Sequence, residues 1–281
     1  MTAILFTFFA SAGISQAAGF SLKITGGYGT MATGDYNTFG QDWERFISVA
    51  ADLSGATASG EFKKLNFGLE YEGEFILNLL GGFGIGIGVG YIQRSNQSEL
   101  GLTEPLAGSL TIIISPYFTA TPINVSAYYF SPGVVPLKLF VYGGGGYYIA
   151  RIKTTFRLEA EPPAVWAETE GELKDQGFGF HVGGGLEFKF IPKVSFFVEG
   201  RYRYCKLKNW EGDETYRDSD GITDEYSGAL WYFEEQGPGG EWYSSIELAE
   251  NQPDDPAYRN VRPFEADLSG FVLRMGVRIK F

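Results

Sequence analysis

Long stretches of this chain alternate between apolar and polar residues with a period of two. In the last eleven residues the odd positions, from Phe271 to Phe281, are apolar, whereas even positions carry Arg274, Arg278 and Lys280. Successive side chains of a β-strand point to opposite faces, so this alternation predicts a strand with one apolar and one polar face. The pattern recurs along the chain and predicts eight strands, over 20–28, 65–75, 83–91, 109–130, 137–147, 178–190, 194–205 and 271–281.

The connections between these strands alternate in length. The short ones cover 78–82, 131–136 and 191–193, and the long ones cover about 30–62, 94–108, 153–176 and 208–262. Most of the strands reach the 9–11 residues that a tilted strand needs to cross a bilayer. Short turns at one end and long loops at the other are typical of membrane barrels. We therefore predict an all-β, antiparallel up-and-down transmembrane β-barrel with eight strands, short periplasmic turns and long extracellular loops.

Two alternatives to this architecture stay open. A soluble eight-stranded barrel, such as a lipocalin, shows the same alternation but hides its apolar face. The polar face mixes charges with glycine, as the crowded interior of a narrow membrane barrel requires, and this favours the membrane. The segments 229–236 and 241–249 predict either a hairpin outside the barrel or a ninth and a tenth strand.

The strand over 194–204, the terminal strand ending in Phe281 and the layout of four loops and three turns resemble a known family. They are similar to the eight-stranded outer-membrane barrels of Gram-negative-type bacteria, the OmpA-like and OmpW-like group, over about 20–281. The resemblance implies an integral outer-membrane protein with periplasmic termini, surrounded by lipid and lipopolysaccharide. It also implies that Phe281 is part of the signal that the barrel-assembly machinery recognises.

The first residues differ from the rest of the chain. Residues 2–17 carry no charge, begin with an apolar stretch and end in Ser15-Gln16-Ala17, which places small residues at the −3 and −1 positions of a signal-peptidase site. We interpret 1–17 as a secretory signal peptide, although the usual basic start is missing. The alternative is a short core helix. The barrel domain then covers 18–281.

If the apolar face meets lipid, the polar face lines the lumen. An eight-stranded barrel is only wide enough for side chains to fill its interior, and an unpaired buried charge costs several kcal/mol. We therefore predict a lumen network in which an acidic ladder on the second strand faces a basic wall on the last two. The acids are Glu70, Glu72, Glu74, Glu187 and Glu199, and the bases are Lys23, Lys138, Lys189, Arg201, Arg203, Arg274, Arg278 and Lys280.

The register of the second and third strands bears on this packing. A turn centred on Leu80 places the three glutamates of the second strand opposite glycines, which leave room for long side chains. The predicted pairs are Glu70–Gly90, Glu72–Gly88 and Glu74–Gly86. A lumen filled in this way predicts a structural or surface-interaction barrel that acts through its loops. The alternative is a small channel for small or hydrophobic solutes, as the OmpW-like resemblance implies, because glycine-lined strands leave space.

Catalysis is the least favoured function. The chain has one His and one Cys, which excludes a disulfide scaffold, a multi-Cys metal site and any site with two imidazoles. A turn centred on Pro192 places His181 beside Arg203 in the lumen, without a neighbouring Ser or carboxylate, and Cys205 lies two residues further along. We expect His181 to be a hydrogen-bonded lumen residue, and we expect neither a lipid-modifying enzyme nor a cofactor.

The fourth loop holds most of the negative charge. Residues 208–262 contain fourteen acidic and four basic residues, a net charge of −10 out of −12 for the whole chain. A chain with a pI of about 4.7 is not expected to bind nucleic acid. The loop also holds Trp210, Trp231 and Trp242, which either pack the loop or anchor an extracellular partner.

One segment of this loop partly resembles a calcium loop. Asp218, Asp220 and Asp224 surround a Gly turn and offer the oxygen ligands that calcium prefers. However, Tyr216 and Ser227 stand where the first and last acidic ligands belong. The sequence therefore leaves two interpretations open, a calcium site and a solvated acidic loop.

Overall fold

The computed structural model describes residues 19–104, 108–132, 137–237 and 239–281. The proposed signal peptide over 1–17 lies outside the described residues. The described chain forms fifteen strands, numbered β1 to β15 in chain order, and a helix, α1. Within the described ranges, no helix combines the length and the apolar character needed to cross a membrane.

Eight of the strands close into an antiparallel ring. They are β1 (Gly19–Thr30), β3 (Phe67–Asn78), β4 (Phe83–Ser95), β6 (Gly108–Phe130), β7 (Leu137–Glu161), β8 (Val165–Ile191), β9 (Val194–Leu207) and β15 (Gly270–Lys280). Each pairs with its neighbours in this order, and β15 closes the ring by pairing with β1. The predicted all-β, antiparallel barrel is confirmed. We call the end of the ring that carries Gly19 and Phe281 the turn end and the opposite end the loop end.

The other strands extend the sheet beyond the ring at the loop end, where the helix also lies. These elements are α1 (Asp35–Ser54), β2 (Thr57–Glu61), β5 (Ser98–Glu104), β10 (Glu211–Asp218), β11 (Thr223–Gln236), β12 (Trp242–Ala249), β13 (Arg259–Pro263) and β14 (Ala266–Asp267). Residues 229–236 pair with 242–249 as a hairpin outside the ring. Of the two interpretations of these segments, the external hairpin is therefore the one that the pairing supports.

The apolar face of every ring strand points outward. Phe20, Phe75, Phe178, Phe271 and Met275 are each more than half exposed. So many large apolar side chains on the outside of one molecule require an apolar solvent, because water-exposed patches of this size are rare on soluble proteins. The soluble-barrel alternative is therefore wrong, since a lipocalin-like barrel would bury these residues.

The interior consists of two layers. Charged and polar side chains fill the half near the turn end, and a hydrophobic cluster fills the half near the loop end. The cluster extends without interruption from the inward-facing barrel residues Ala120 and Tyr148, through Trp210, to Leu248 of β12 and Ile47 of α1. We call α1, β11, β12 and β13 together the cap, because this cluster joins α1, β11 and β12 to the barrel interior and β13 pairs with β11.

Helix α1 lies within 30–62, the segment that the strand pattern predicts to be the first long loop. Its buried residues Tyr36, Gly40, Ile47 and Ala51 recur at helical spacing and form one face. The helix ends at Gly55, whose positive φ of 73° suits a glycine in the left-handed region. A search for period two alone misses this element, because its period is 3.6 residues.

The third long loop is also shorter than predicted. Strands β7 and β8 continue as a paired hairpin up to Glu161 and down again from Val165, so most of 153–176 is sheet rather than loop. The alternation weakens in this part because both faces of the extension are partly exposed to water. The sequence pattern therefore ends where the apolar surroundings end, although the strands do not.

Charged contacts hold the elements of the cap together. Arg262 donates two hydrogen bonds to Asp35, at 2.6 and 2.7 Å, and these hydrogen bonds raise the pKa of Arg262. The Asp35 carboxylate also accepts the backbone N–H of Glu265 at 2.7 Å. Asp42 accepts hydrogen bonds from the backbone and hydroxyl of Ser244 at 2.9 and 2.5 Å. The start of α1 is thereby tied to β13, and its first half to β12.

Asp35→Ala is expected to loosen the cap without unfolding the ring. The substitution removes three hydrogen bonds to a carboxylate. Hydrogen bonds to charged groups contribute about 1.5–3 kcal/mol each when buried, and less where one partner is exposed to solvent, as Arg262 is here. Hydrogen–deuterium exchange should speed up in 35–54 and 259–265 and stay unchanged in β3 and β4. Unchanged exchange throughout α1 would contradict the anchoring role of Asp35.

Candidate functional site

The charged half of the lumen is the most unusual chemical environment of the molecule. Five carboxylates and six cations are buried there, each with an exposed fraction of at most 7%. They are Glu70, Glu72, Glu74, Glu187, Glu199, Lys23, Arg94, Arg201, Arg203, Arg274 and Arg278. Alternation along the ring strands places them inside, because each shares its strand face with other inward-pointing residues.

The central group joins four strands across the lumen. Arg201 of β9 lies 2.5 Å from Glu72 of β3, and Arg274 of β15 lies 3.4 Å from the same carboxylate. Arg274 also forms an ion pair with Glu199 and donates a hydrogen bond of 2.9 Å to the Tyr142 hydroxyl. Every member thus contacts a partner of opposite charge, as buried ions require.

Lys23 of β1 lies at the middle of the lumen. Its Nζ atom is 2.8 Å from Glu199 and 3.7 Å from Glu74, and it donates a hydrogen bond of 3.1 Å to the Tyr128 hydroxyl. The ammonium group also lies 4.7 Å from the centre of the Tyr142 ring, within range of a cation–π interaction. Tyr128 in turn donates a hydrogen bond to Glu74. Aromatic rings and carboxylates therefore take the place of water around this cation.

A third group lies next to the hydrophobic layer. Glu70 pairs with Arg203 at 2.9 Å and with Arg94 at 2.7 Å. Arg94 falls at the start of the predicted second long loop and is therefore absent from the predicted lumen network. The signal was available, since Arg94 continues the even-numbered inward face of Gly86, Gly88 and Gly90 on β4.

The fourth group closes the turn end. Glu187 pairs with Arg278 at 3.0 Å and with Lys280 at 2.6 Å. Arg278 also donates hydrogen bonds to Ser21 and Asn78. Lys138 lines the small opening beside this group, a cavity of about 160 Å³, and Lys189 is exposed to solvent. These last two cations are therefore at the opening rather than in the network.

The register between β3 and β4 differs from the predicted one by two residues. Glu72 pairs with Gly90 and Glu74 with Gly88, whereas Glu70 lies opposite Ile92. The connection turns over Leu80–Gly82, beyond the assumed centre at Leu80. A shift of two residues keeps every side chain on its own face, so the glutamates still point inward. The carboxylate of Glu74 also lies over Gly86, where a Cβ atom would collide with Oε1.

His181 has a closer neighbour than predicted. Its pairing with Arg203 is confirmed, but its Nε2 atom lies 2.9 Å from the hydroxyl of Ser126, so the expectation that no Ser lies beside it is wrong. Ser126 lies on β6, in the same row of the sheet, and only Gly144 of β7 separates it from His181; a register worked out for β8 and β9 alone does not address this neighbour. Among the described residues, the Nδ1 atom of His181 has no hydrogen-bond partner, so the third member of a triad is missing.

The three aspartates of the partial calcium loop lie at the tip of the β10–β11 hairpin. Asp218 accepts the backbone N–H groups of Asp220 and Ile222, both at 3.0 Å, and so organises the turn itself. Asp224 lies opposite Tyr216 in the hairpin. In the described part of the chain, no group of three or more His, Cys, Asp or Glu residues is arranged to hold a metal ion. Calcium binding here stays a prediction.

The sequence model for the family described as "Outer membrane protein beta-barrel domain" matches residues 1–225. The chain belongs to this family of outer-membrane β-barrel proteins. The predicted class and its location in the bacterial outer membrane are thereby confirmed. The narrower OmpA-like or OmpW-like assignment and the role of Phe281 in assembly stay predictions. No curated protein is significantly similar to this chain in sequence.

Two solved structures of outer-membrane proteins are similar to this chain at a low level. A major outer membrane protein from Thermus thermophilus is 11% identical, with a TM-score of 0.42 over 95% of this chain and 100% of that one. The outer membrane protease OmpT from Escherichia coli is 9% identical, with a TM-score of 0.27 over 97% of this chain and 100% of that one. Likeness at this level carries no assignment of function.

Removing a central cation should destabilise the barrel. Arg274→Ala leaves Glu72 and Glu199 with fewer partners, and breaking a buried pair costs about 3–5 kcal/mol. Arg278→Ala should cost less, because it removes a cation from one carboxylate, Glu187, rather than from two. Both variants are expected to lower the urea midpoint of the refolded barrel in detergent micelles.

The matched control is Arg157→Ala, which breaks ion pairs with Glu159 and Glu168 at an exposed position of β7. Exposed pairs contribute little to stability, so its midpoint should stay close to that of the wild type. Equal midpoints for the wild type and both lumen variants would show that the network does not hold the barrel together.

Proposed function

We propose that this protein is a closed outer-membrane barrel that acts as a structural or surface-interaction protein through the elements at its loop end. One observation carries the proposal, namely that the inward-facing side chains are almost inaccessible along the whole lumen. Side chains that line a water-filled channel remain in contact with solvent, whereas Glu74, Glu199, Arg274 and Leu268 are at most 2% exposed.

Two different layers close the lumen. The ion pairs from Glu187 to Glu70 fill the half near the turn end, and the hydrophobic cluster around Trp210 and Phe118 fills the other half. A solute would have to displace both layers. Because an unpaired buried charge is costly, opening the first layer would require many ion pairs to break together.

The cap offers the surface for an interaction. In the proposed orientation the loop end faces the cell exterior and the termini face the periplasm, as is usual for barrels with short periplasmic turns. A cleft of about 520 Å³ lies between α1 and the β11–β12 hairpin. Its walls combine Trp43, Phe46 and Tyr243 with Asp42 and Glu235. Aromatic and acidic side chains together suit a partner with apolar and cationic groups, and the surrounding segment has a net charge of −10.

Conductance of the refolded barrel in a planar bilayer tests the closed lumen. The wild type is expected to give no stable current steps, and Glu72→Gln is expected to give none either, because the hydrophobic layer remains. Folding of both proteins is checked by circular dichroism of the same sample. Defined steps in the wild type that change size in Glu72→Gln would contradict the proposal and support the small-channel alternative.

We also propose that this barrel does not catalyse a reaction. Ser126 and His181 are 3% and 4% exposed, and a serine nucleophile needs both an oriented base and access to substrate. A fluorophosphonate probe is therefore expected to leave the folded barrel unlabelled. Labelling that disappears in Ser126→Ala would indicate that this pair is reactive and that the barrel is an enzyme.

A further inference from the structure

Each basic residue of the cap lies against both an aromatic ring and a carboxylate. In α1, the guanidinium carbon of Arg45 is 4.8 Å from the centre of the Tyr243 ring, and its Nη2 atom is 3.0 Å from Asp42. The other two basic residues have ring distances of 3.9 and 4.2 Å and ion pairs of 2.6 Å, in the groups Arg259–Trp242–Glu234 and Arg262–Tyr232–Asp35. The cap therefore holds a guanidinium group in one repeated manner, by a cation–π contact combined with an ion pair.

A fourth combination of aromatic rings and a carboxylate lines the cleft between α1 and the β11–β12 hairpin, which we call the cap cleft. Trp43 and Phe46 of α1 form its apolar wall, with ring centres 5.5 Å apart, and Glu235 of β11 lies in the same lining. Within the described ranges, no cation lies over either ring or within ion-pair distance of Glu235. The fourth combination therefore lacks the cation that the other three contain.

The polar groups of the cap cleft are not fully used. The Glu235 carboxylate accepts a hydrogen bond from the hydroxyl of Ser245. Tyr243 also lines the cleft, is 5% exposed, and has no hydrogen-bond partner for its hydroxyl among the residues that the structure describes. The helix and the three strands of the cap carry nine acidic and three basic residues, a net charge of −6. The surroundings therefore attract a further cation.

The cap cleft is large enough for a ligand and can be reached from solvent. Its volume of about 520 Å³ falls within the range of about 300–1,000 Å³ that is usual for ligand sites. Trp43, Phe46 and Glu235 are each partly exposed, so a ligand can contact them without displacing the hydrophobic cluster. The volume leaves room for one long side chain and for parts of its neighbours in a peptide.

We propose that the cap cleft binds an arginine side chain that projects from a partner protein. Its guanidinium group stacks on Trp43 and Phe46 and donates hydrogen bonds to Glu235, in the same manner as the chain's own arginines are held. Arginine fits better than lysine, because a planar guanidinium group combines stacking on a ring with several fixed donors. The inference deepens the proposed function and rests on it only for the location of the partner, which has to meet the loop end.

Isothermal titration calorimetry of the refolded full chain in a non-ionic detergent tests this site. The probes are acetyl-Ser-Leu-Arg-Leu-Ser-amide, free arginine, and two analogues of the peptide in which lysine or citrulline replaces the arginine. Citrulline has nearly the shape of arginine but no charge. The arginine peptide should bind several-fold more tightly than free arginine or the lysine peptide, and roughly tenfold more tightly than the citrulline peptide, because a charge-assisted hydrogen bond is lost.

Three variants keep the test specific. Glu235→Gln keeps the size of the side chain but removes its charge, and should weaken binding of the arginine peptide roughly tenfold. Trp43→Leu removes an aromatic face and should weaken the same binding several-fold. The matched control is Glu225→Gln, which removes one negative charge from an exposed position of the same strand, outside the cleft; its affinity should equal that of the wild type. Circular dichroism of each sample checks folding.

Four results would overturn the proposal. Equal affinity for the arginine and citrulline peptides would exclude recognition of the charge, and equal affinity for the lysine peptide would exclude recognition of the guanidinium group. Equal affinity of the wild type and Glu235→Gln would show that this carboxylate does not bind the ligand. Full competition by free arginine at the peptide's own concentration would assign the site to a free amino acid. None of these results bears on the closed lumen, which the bilayer measurement tests separately.

Discussion

The mutual neutralisation of buried charges is the constraint on which the rest of this structure depends. In a closed ring of eight strands, every second side chain points into a lumen that has little room for water. Because the outward face must be apolar where lipid surrounds it, the polar residues of that part of the ring are directed inward. They are stable there only because carboxylates and cations from different strands meet, as Glu72 does with Arg201 and Arg274.

This constraint links sequence positions that are far apart. Glu72 on β3 and Arg274 on β15 are separated by two hundred residues, and Lys23 on β1 lies between their strands in the ring. The ion pairs therefore act only after the ring has closed. Such contacts favour one register over others, because a slip by two residues keeps the faces but exchanges the partners of each charge.

Two layers of different chemistry close the barrel interior. Near the turn end, ion pairs occupy the lumen, and near the loop end the hydrophobic cluster around Trp210 continues into the cap. The outer surface shows the reverse order, because the apolar belt lies nearer the turn end and gives way to the exposed cations Arg151, Lys153 and Lys174 towards the loop end. In a barrel closed in this manner, the charged and polar side chains that a partner can reach lie in the cap and at the edge of the apolar belt, not in the lumen.

The sequence by itself determined the ring strands, their faces and most of the lumen charges, because period-two alternation is a local property. Only the tertiary structure decided which charges meet, as the two-residue change in the β3–β4 register and the missed Arg94 show. It also decided that Ser126 lies beside His181, since the two residues come from β6 and β8 and meet over Gly144 of the strand between them. Helix α1 and the cap likewise depend on packing against Trp210 and Leu248, which no local pattern of alternation contains.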